Sequence, residues 1–181
     1  MSKAVLISIR PKWCQKIVSG EKTIEVRKTK PKLNTPFKCY IYCTLPKYPH
    51  EDFIATDYPM PQFYGGGKVI GEFTCERVVP ITYDGGRLWC PTNAAFSPAT
   101  CLSQAEIIAY IGDKGRCYGW HISDLRIYDT PRELSEFQRA TDPCDSCHAE
   151  YTWECTGCKK FSGDIKRPPQ SWCYVEAMKD E

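Results

Sequence analysis

The chain has 181 residues, enough for one domain to bury a hydrophobic core without disulfide bonds. Its 42% hydrophobic and 25% charged residues exclude a disordered or fibrous protein. The net charge is only +2, but residues 1–32 carry nine Lys or Arg and two acidic residues, so a basic patch is expected where this segment folds. Such a patch is typical of a phosphate-binding surface or of a solvated face.

Neither membrane insertion nor secretion is indicated. No apolar run reaches membrane-spanning length, and the first residues are charged too early for a signal peptide. In a chain of this length, twelve cysteines therefore favour reduced thiols and metal ligation over a disulfide framework. We expect a cytoplasmic protein in a reducing compartment.

The first predicted elements are a strand over 4–9, a helix that starts at Pro11 and stops at Gly20, and a strand over 23–28. Residues in this second strand alternate, which puts Glu25 and Arg27 on one face. Trp13 falls on the buried stripe of the helix.

The rest of the chain is predicted to add more strands than helices. Further strands are expected over 37–44, 68–79, 117–129 and 172–175, with a bulge near Ser123 or Asp124. A Ser103–Glu106 capping box starts a helix that runs to about 111, and a second, short helix is expected from Thr130. Residues 45–67 and 83–100 are predicted to be irregular.

Four cysteines near the C-terminus have the spacing of a metal site. Cys144, Cys147, Cys155 and Cys158 form a Cys-x2-Cys-x7-Cys-x2-Cys pattern, in which two tight turns supply thiolates to one tetrahedral ion. An iron–sulfur cluster, two redox dithiols or chance are the alternatives to zinc. Four thiolates leave no open position for a substrate, so we expect one structural zinc ion in a module over 140–167.

Two N-terminal motifs carry a family resemblance. These are Ser8-Ile9-Arg10-Pro11-Lys12 and, after Gly20, Glu21-Lys22-Thr23-Ile24-Glu25-Val26-Arg27. Together with the runs 69–73 and 118–123, they resemble the ASCH domain, whose signature is G-x-K-x-x-E-x-R. The ending 168–176 is similar to that of bacterial and phage-encoded ASCH proteins with a cysteine module.

The resemblance implies an α+β fold, a PUA-like mixed β pseudo-barrel with flanking short helices and a small zinc-knuckle insertion. The ASCH domain would then comprise 1–139 plus 168–181. Relatives bind RNA or modified bases in a cleft, and the matching cleft residues here are Lys22, Glu25 and Arg27. A cation can hold a phosphate, and a carboxylate can accept hydrogen bonds from an exocyclic amine. The alternative for these side chains is a salt-bridged strand face.

Further ligand-binding candidates are Arg10 from the first motif and three aromatic residues, because unpaired bases stack on rings. Tyr40 and Tyr42 share a strand face with Lys38, and Trp120 lies in the run 118–123. The expected partner is RNA or a nucleotide-like ligand, and no membrane is expected.

Two other functions remain open on the sequence. Some small ASCH proteins resemble amidohydrolases that act on acylated cytidine with a Lys and a Thr nucleophile. Here Lys22 is present, but Glu25 occupies the Thr position, so a Thr nucleophile is not expected, and the enzyme alternative is a metal-independent amidohydrolase that acts on acylated nucleosides through Lys22 and Glu25. The last alternative makes the zinc module a protein-interaction adaptor.

Overall fold

Strands dominate the protein, and short helices lie beside them. The structure is a computed structural model that describes residues 2–45, 53–54, 63–92, 98–140 and 163–178. The elements in chain order are β1 (Lys3–Ile9), α1 (Pro11–Val18), β2 (Ile24–Arg27), β3 (Phe37–Cys43), β4 (Phe53–Ile54), β5 (Phe63–Tyr64), β6 (Lys68–Asp84), β7 (Arg87–Trp89), α2 (Gln104–Ile111), β8 (Arg116–Arg132), β9 (Gln138–Arg139), β10 (Gly163–Asp164) and β11 (Trp172–Glu176). This content confirms the predicted α+β class.

Nine of the strands form one mixed sheet. Its order is β10-β9-β11-β1-β3-β6-β8-β2, and β7 pairs with β6 off this path. β1 and β3 are parallel, whereas the other paired neighbours in this sheet are antiparallel. Within the described residues the end strands β10 and β2 do not pair, so the sheet is open and not a closed barrel.

The predicted bulge in β8 is confirmed. Glu72 lies opposite Arg126 and Thr74 lies opposite Ser123, so β8 has one more residue than β6 over this stretch. Asp124 takes up the extra residue with a φ of 47°, a left-handed conformation that aspartate adopts more readily than most residues. Bulges bend a strand and increase its twist.

Two local predictions were wrong because strand pairing extends further than the sequence indicated. Gly85 and Gly86, both with positive φ, turn β6 into β7 inside the stretch 83–100 that was predicted to be irregular. β8 continues through Thr130 to Arg132, and the helical turn starts later, with Glu133 as its cap. Pairing of Val69 with Arg132 overrides the capping signal at Thr130.

Both faces of the central strands are buried. One core cluster packs α1 on the sheet and includes Ile7, Ile9 and Ile17. A second cluster on the other residues of β1 includes Leu6 and Phe137. This is why β1 is buried without alternation from its second residue to its last.

The predicted zinc module lies mostly outside the described residues. Within 163–167, β10 pairs with β9, and Ile165 belongs to the second core cluster. Cys144, Cys147, Cys155 and Cys158 fall within 141–162, outside the described residues. No described helix has the length and apolarity that crossing a membrane requires.

Candidate functional site

The strand β2 brings the motif residues into a cavity of about 870 Å³. Its alternation directs Ile24 and Val26 into core clusters, while the side chains of Glu25 and Arg27 share the cavity face. The predicted shared face is therefore confirmed. Antiparallel pairing of β2 with β8 fixes the position of both residues.

Lys22, Glu25 and Arg27 form one buried ion network. Their exposed fractions are 2%, 6% and 8%, so water screens these charges poorly. Nζ of Lys22 lies 3.3 Å from Oε2 of Glu25, and Nε of Arg27 lies 3.0 Å from Oε1. The carboxylate is thus held from both sides. The alternative of a salt-bridged strand face is therefore confirmed in its pairing, since Glu25 is paired with both Lys22 and Arg27, although the network is buried and not solvated.

Lys22 is fully engaged by protein acceptors. Besides the carboxylate, its Nζ donates to the backbone oxygens of Ile24 at 2.9 Å and of Thr100 at 2.7 Å. These acceptors occupy the N–H groups of the ammonium. In this geometry Lys22 positions Glu25 and connects the start of β2 to the turn at Pro98–Thr100.

Arg27 retains donors for a ligand. Its Nη2 donates to the backbone oxygen of Ser8 at 2.6 Å, and its Nε makes an ion pair but no well-aligned hydrogen bond with Glu25. Within the described part of the chain, Nη1 has no hydrogen-bond acceptor. A guanidinium edge held in this way can bind an oxyanion with two N–H groups.

Cations outnumber carboxylates on the cavity walls. Among the described residues, five cationic side chains and two carboxylates line it, a net formal charge of +3. The charged and aromatic side chains outside the ion network are Arg10, Trp13, Lys28, Glu106, Tyr110 and Lys114. Arg10 therefore lies where the sequence placed it, at the start of α1 beside the motif.

Two aromatic rings lie on these walls, each beside lysines. Trp13 is half-buried, with Nζ of Lys12 and Lys22 at 4.8 Å and 5.2 Å from its ring centroid. Nζ of Lys28 lies 5.2 Å from the ring of Tyr110. The expectation that Trp13 belongs to the core is confirmed in part, because it packs against the first core cluster but is only half-buried and also lines the cavity.

The other predicted aromatic residues do not line this cavity. Tyr40 and Tyr42 lie in the second core cluster, where the Tyr40 hydroxyl accepts the N–H of Met178 at 2.8 Å. Their strand face is covered by Phe137 and the C-terminal segment and is not a polar groove. Trp120 is fully buried in the first core cluster, edge-on to Phe37.

Sequence reasoning missed the wall that α2 provides. Glu106 and Tyr110 on α2 line the cavity together with Leu102, just before the helix, and Lys114, just after it, and the four recur at intervals of four. That spacing places residues on one face of a helix. For Glu106 and Tyr110 this spacing was the available signal, and the buried Ile107 and Ile111 lie about 100° further around the same helix.

Tyr110 is a neutral donor in this setting. Burial raises the pKa of its phenol, the guanidinium of Arg27 opposes the shift, and the carboxylate of Glu25 reinforces it. Tyr110 therefore keeps its proton at neutral pH. The cavity wall between β2 and α2 thus presents a phenol, a guanidinium and a carboxylate together.

The segment before β11 closes one side of the cavity. Pro168, Pro169, Gln170 and Ser171 line it. Ser8 holds this segment, since its Oγ donates to the oxygen of Pro169 at 2.6 Å and its N–H donates to the oxygen of Ser171 at 2.9 Å. The ASCH resemblance was found both in the motif that starts at Ser8 and in the segment before β11. These two parts of the chain thus meet at the cavity.

Metal ligation has no candidate among the residues that the structure describes, where no three His, Cys, Asp or Glu side chains cluster suitably. The four-cysteine motif falls in the undescribed stretch 141–162 and stays a prediction.

Three solved structures of a Zymomonas mobilis protein share this architecture. "Crystal structure of ASCH from Zymomonas mobilis" matches at 18% identity and a TM-score of 0.56, over 96% of this chain and 87% of that chain. Two variants of the Zymomonas mobilis protein match at 19% identity. The Tyr-to-Phe variant has a TM-score of 0.56, over 97% of this chain and 91% of that chain. The Ser-to-Ala variant has a TM-score of 0.55, over 96% of this chain and 88% of that chain.

The sequence matches no protein-family model and no curated protein. At such low identity, the structural likeness speaks for the fold and not for the activity. The chain has the fold of the ASCH proteins, as the motifs predicted.

Proposed function

We propose that the cavity binds RNA or a nucleotide-like ligand, with Arg27 on a phosphate and Glu25 on the edge of a base. The observation that carries this proposal is the fixed carboxylate of Glu25 beside the outward donors of Arg27, inside a cavity with a net charge of +3. A base edge needs a hydrogen-bond partner of defined direction, and a phosphate needs cationic donors. The cavity offers both within one strand.

The role of Glu25 follows from its two neighbours. Each carboxylate oxygen has one cationic partner, and each has lone-pair capacity left. An exocyclic amine of cytosine or adenine can supply the missing donor. Trp13 and Tyr110 provide ring faces on the same walls for stacking.

Binding fits this geometry better than acid–base chemistry. Lys22 already donates to two backbone oxygens and faces the carboxylate, so its N–H groups are used within the protein. Proton transfer to a substrate would break those bonds. We therefore assign Lys22 to positioning and Glu25 to recognition.

Replacing Glu25 with glutamine tests the assignment. The amide keeps the side-chain shape but substitutes a donor for one acceptor, so the preference should move from cytidine and adenosine monophosphate toward uridine monophosphate. A good contact to a base edge contributes about 1–3 kcal/mol of discrimination. Titration calorimetry with the four nucleoside monophosphates measures the change.

An Asp113→Asn variant provides the control, because that exposed carboxyl does not line the cavity. It should bind all four ligands as the unmutated protein does. An unchanged base preference in the Glu25 variant, with its thermal unfolding intact, would refute the assignment.

The cysteine motif is proposed to hold one structural zinc ion. Metal analysis of freshly purified, reduced protein should find about one zinc per chain, because four thiolates favour a single tetrahedral ion. Replacing Cys155 with Ser should lower the zinc content and loosen its neighbourhood more than the sheet. Iron with visible absorption, or protein without metal, would contradict this prediction.

A further inference from the structure

Two shallow hollows continue the cavity along the protein surface. The first, of about 400 Å³, shares Lys28, Thr29 and Lys114 with the cavity. The second, of about 460 Å³, shares Lys30 with the first. Residues 28–32, which leave the end of β2, therefore run from the cavity past both hollows.

The described residues on the walls of the two hollows include cations and no carboxylate. Their six cationic side chains are Lys3, Lys28, Lys30, Lys32, Lys114 and Arg116. Five of them, Lys28, Lys30, Lys32, Lys114 and Arg116, form no ion pair with another described residue. On an ordinary solvated face, cations and carboxylates form ion pairs. An example is the pair between Lys16 on α1 and Glu21, which follows the helix. Among the described residues these five cations lack such pairing, so the surface attracts anions.

Aromatic rings alternate with these cations. Nζ of Lys30 lies 5.9 Å from the ring of Tyr118, and Nζ of Lys3 lies 5.7 Å from that of Tyr174. Trp172 stands edge-on to Tyr174, with ring centroids 5.4 Å apart. All three rings are partly exposed. Where a ring lies beside a cation, a base can stack on the ring while the cation neutralises the phosphate of that nucleotide.

Hydrogen bonds hold the lysine segment against the rings. Nε1 of Trp172 donates to Oγ1 of Thr29 at 3.0 Å, and the hydroxyl of Tyr174 accepts the N–H of Lys32 at 2.7 Å. Pro31, buried between Lys30 and Lys32, directs both lysines outward. The cations are thus presented on a supported segment.

We propose that the ligand is a single-stranded nucleic acid that continues out of the cavity along this basic track, defined as Lys28, Lys30, Lys32, Lys114 and Arg116 with the rings of Tyr118, Trp172 and Tyr174. The inference rests on the proposed function of the cavity. A single strand fits better than a duplex, because paired bases cannot stack on the rings. The cavity reads one nucleotide, and the track holds the backbone of its neighbours.

A strand-length experiment tests the track. The probes are a labelled single-stranded RNA of roughly ten nucleotides, the same RNA as a duplex, and a nucleoside monophosphate. The protein should bind the single strand at least tenfold more tightly than either other probe. The triple variant Lys30→Ala, Lys32→Ala and Arg116→Ala should lose on the order of tenfold affinity for the strand and lower the salt slope by about 2. Its affinity for the monophosphate should not change.

Arg77→Ala, Arg87→Ala and Arg126→Ala together are the matched control, since these exposed arginines line neither the cavity nor the hollows. Equal losses in the two triple variants, or equal affinity for the strand and the monophosphate, would overturn the track. If the track variant weakens binding of the single strand but Arg27→Met does not, the result supports nucleic-acid binding by the track and contradicts the proposed function of the cavity. If Arg27→Met weakens binding of the single strand but the track variant does not, the result supports the proposed function of the cavity and contradicts nucleic-acid binding by the track.

Discussion

Replacing Lys22 with methionine should lower the free energy of unfolding by about 3 kcal/mol. Methionine fills similar space but leaves the oxygens of Ile24 and Thr100 without this donor and removes one of the two cations that hold Glu25. Buried acceptors that lose their donor are costly, because no water replaces it. Denaturant unfolding monitored by circular dichroism measures the loss.

Lys16→Met is the matched control for this prediction. Lys16 also pairs with a glutamate, at 2.7 Å from Glu21, but Glu21 is solvent-exposed and Lys16 is partly exposed. Breaking an exposed pair should leave the unfolding midpoint nearly unchanged. Similar midpoints for the Lys16 and Lys22 variants would show that the buried network does not stabilise the fold.

Replacing Arg27 with methionine should weaken the binding of all four nucleoside monophosphates by about 2 kcal/mol, or roughly 30-fold. Phosphate is common to these ligands, so a phosphate contact affects each of them equally. Arg27→Lys should recover part of the affinity, since it keeps the charge but loses the planar fork. Calorimetric titrations measure both effects.

Arg87→Met controls for the loss of a surface charge, because Arg87 is exposed on β7 and away from the cavity walls. It should bind as the unmutated protein does. Loss of affinity for one base alone in the Arg27 variant would place this guanidinium on a base and not on the phosphate.

The central part of the site could be predicted because it depends on local geometry. Strand alternation is enough to put Glu25 and Arg27 on one face, and Lys22 lies just before that strand. What the sequence did not show is that the face is buried and that Lys22 bonds to Thr100, which is 78 residues away. Contacts of that range depend on the tertiary fold.

The aromatic candidates failed for a related reason. Alternation in β3 identifies two strand faces, but it does not say which distant segments cover them. Phe137 and the region around Met178 cover the face of Tyr40 and Tyr42, so these rings became core. Trp13 shows the converse, because a helix stripe that looks buried ends at the rim of a cavity.

The tryptophan indoles offer the most direct measurement of the central claim, because each reports on a different place. Trp13 lines the cavity, Trp172 lies on the basic track and Trp89 is 58% exposed, away from both. In a nitrogen–proton correlation spectrum, a nucleoside monophosphate should shift the Trp13 indole signal and leave Trp89 unchanged. A single-stranded RNA should shift Trp172 as well. If the Trp13 signal does not move at saturating ligand, or if Trp89 moves equally, the cavity is not the nucleotide site.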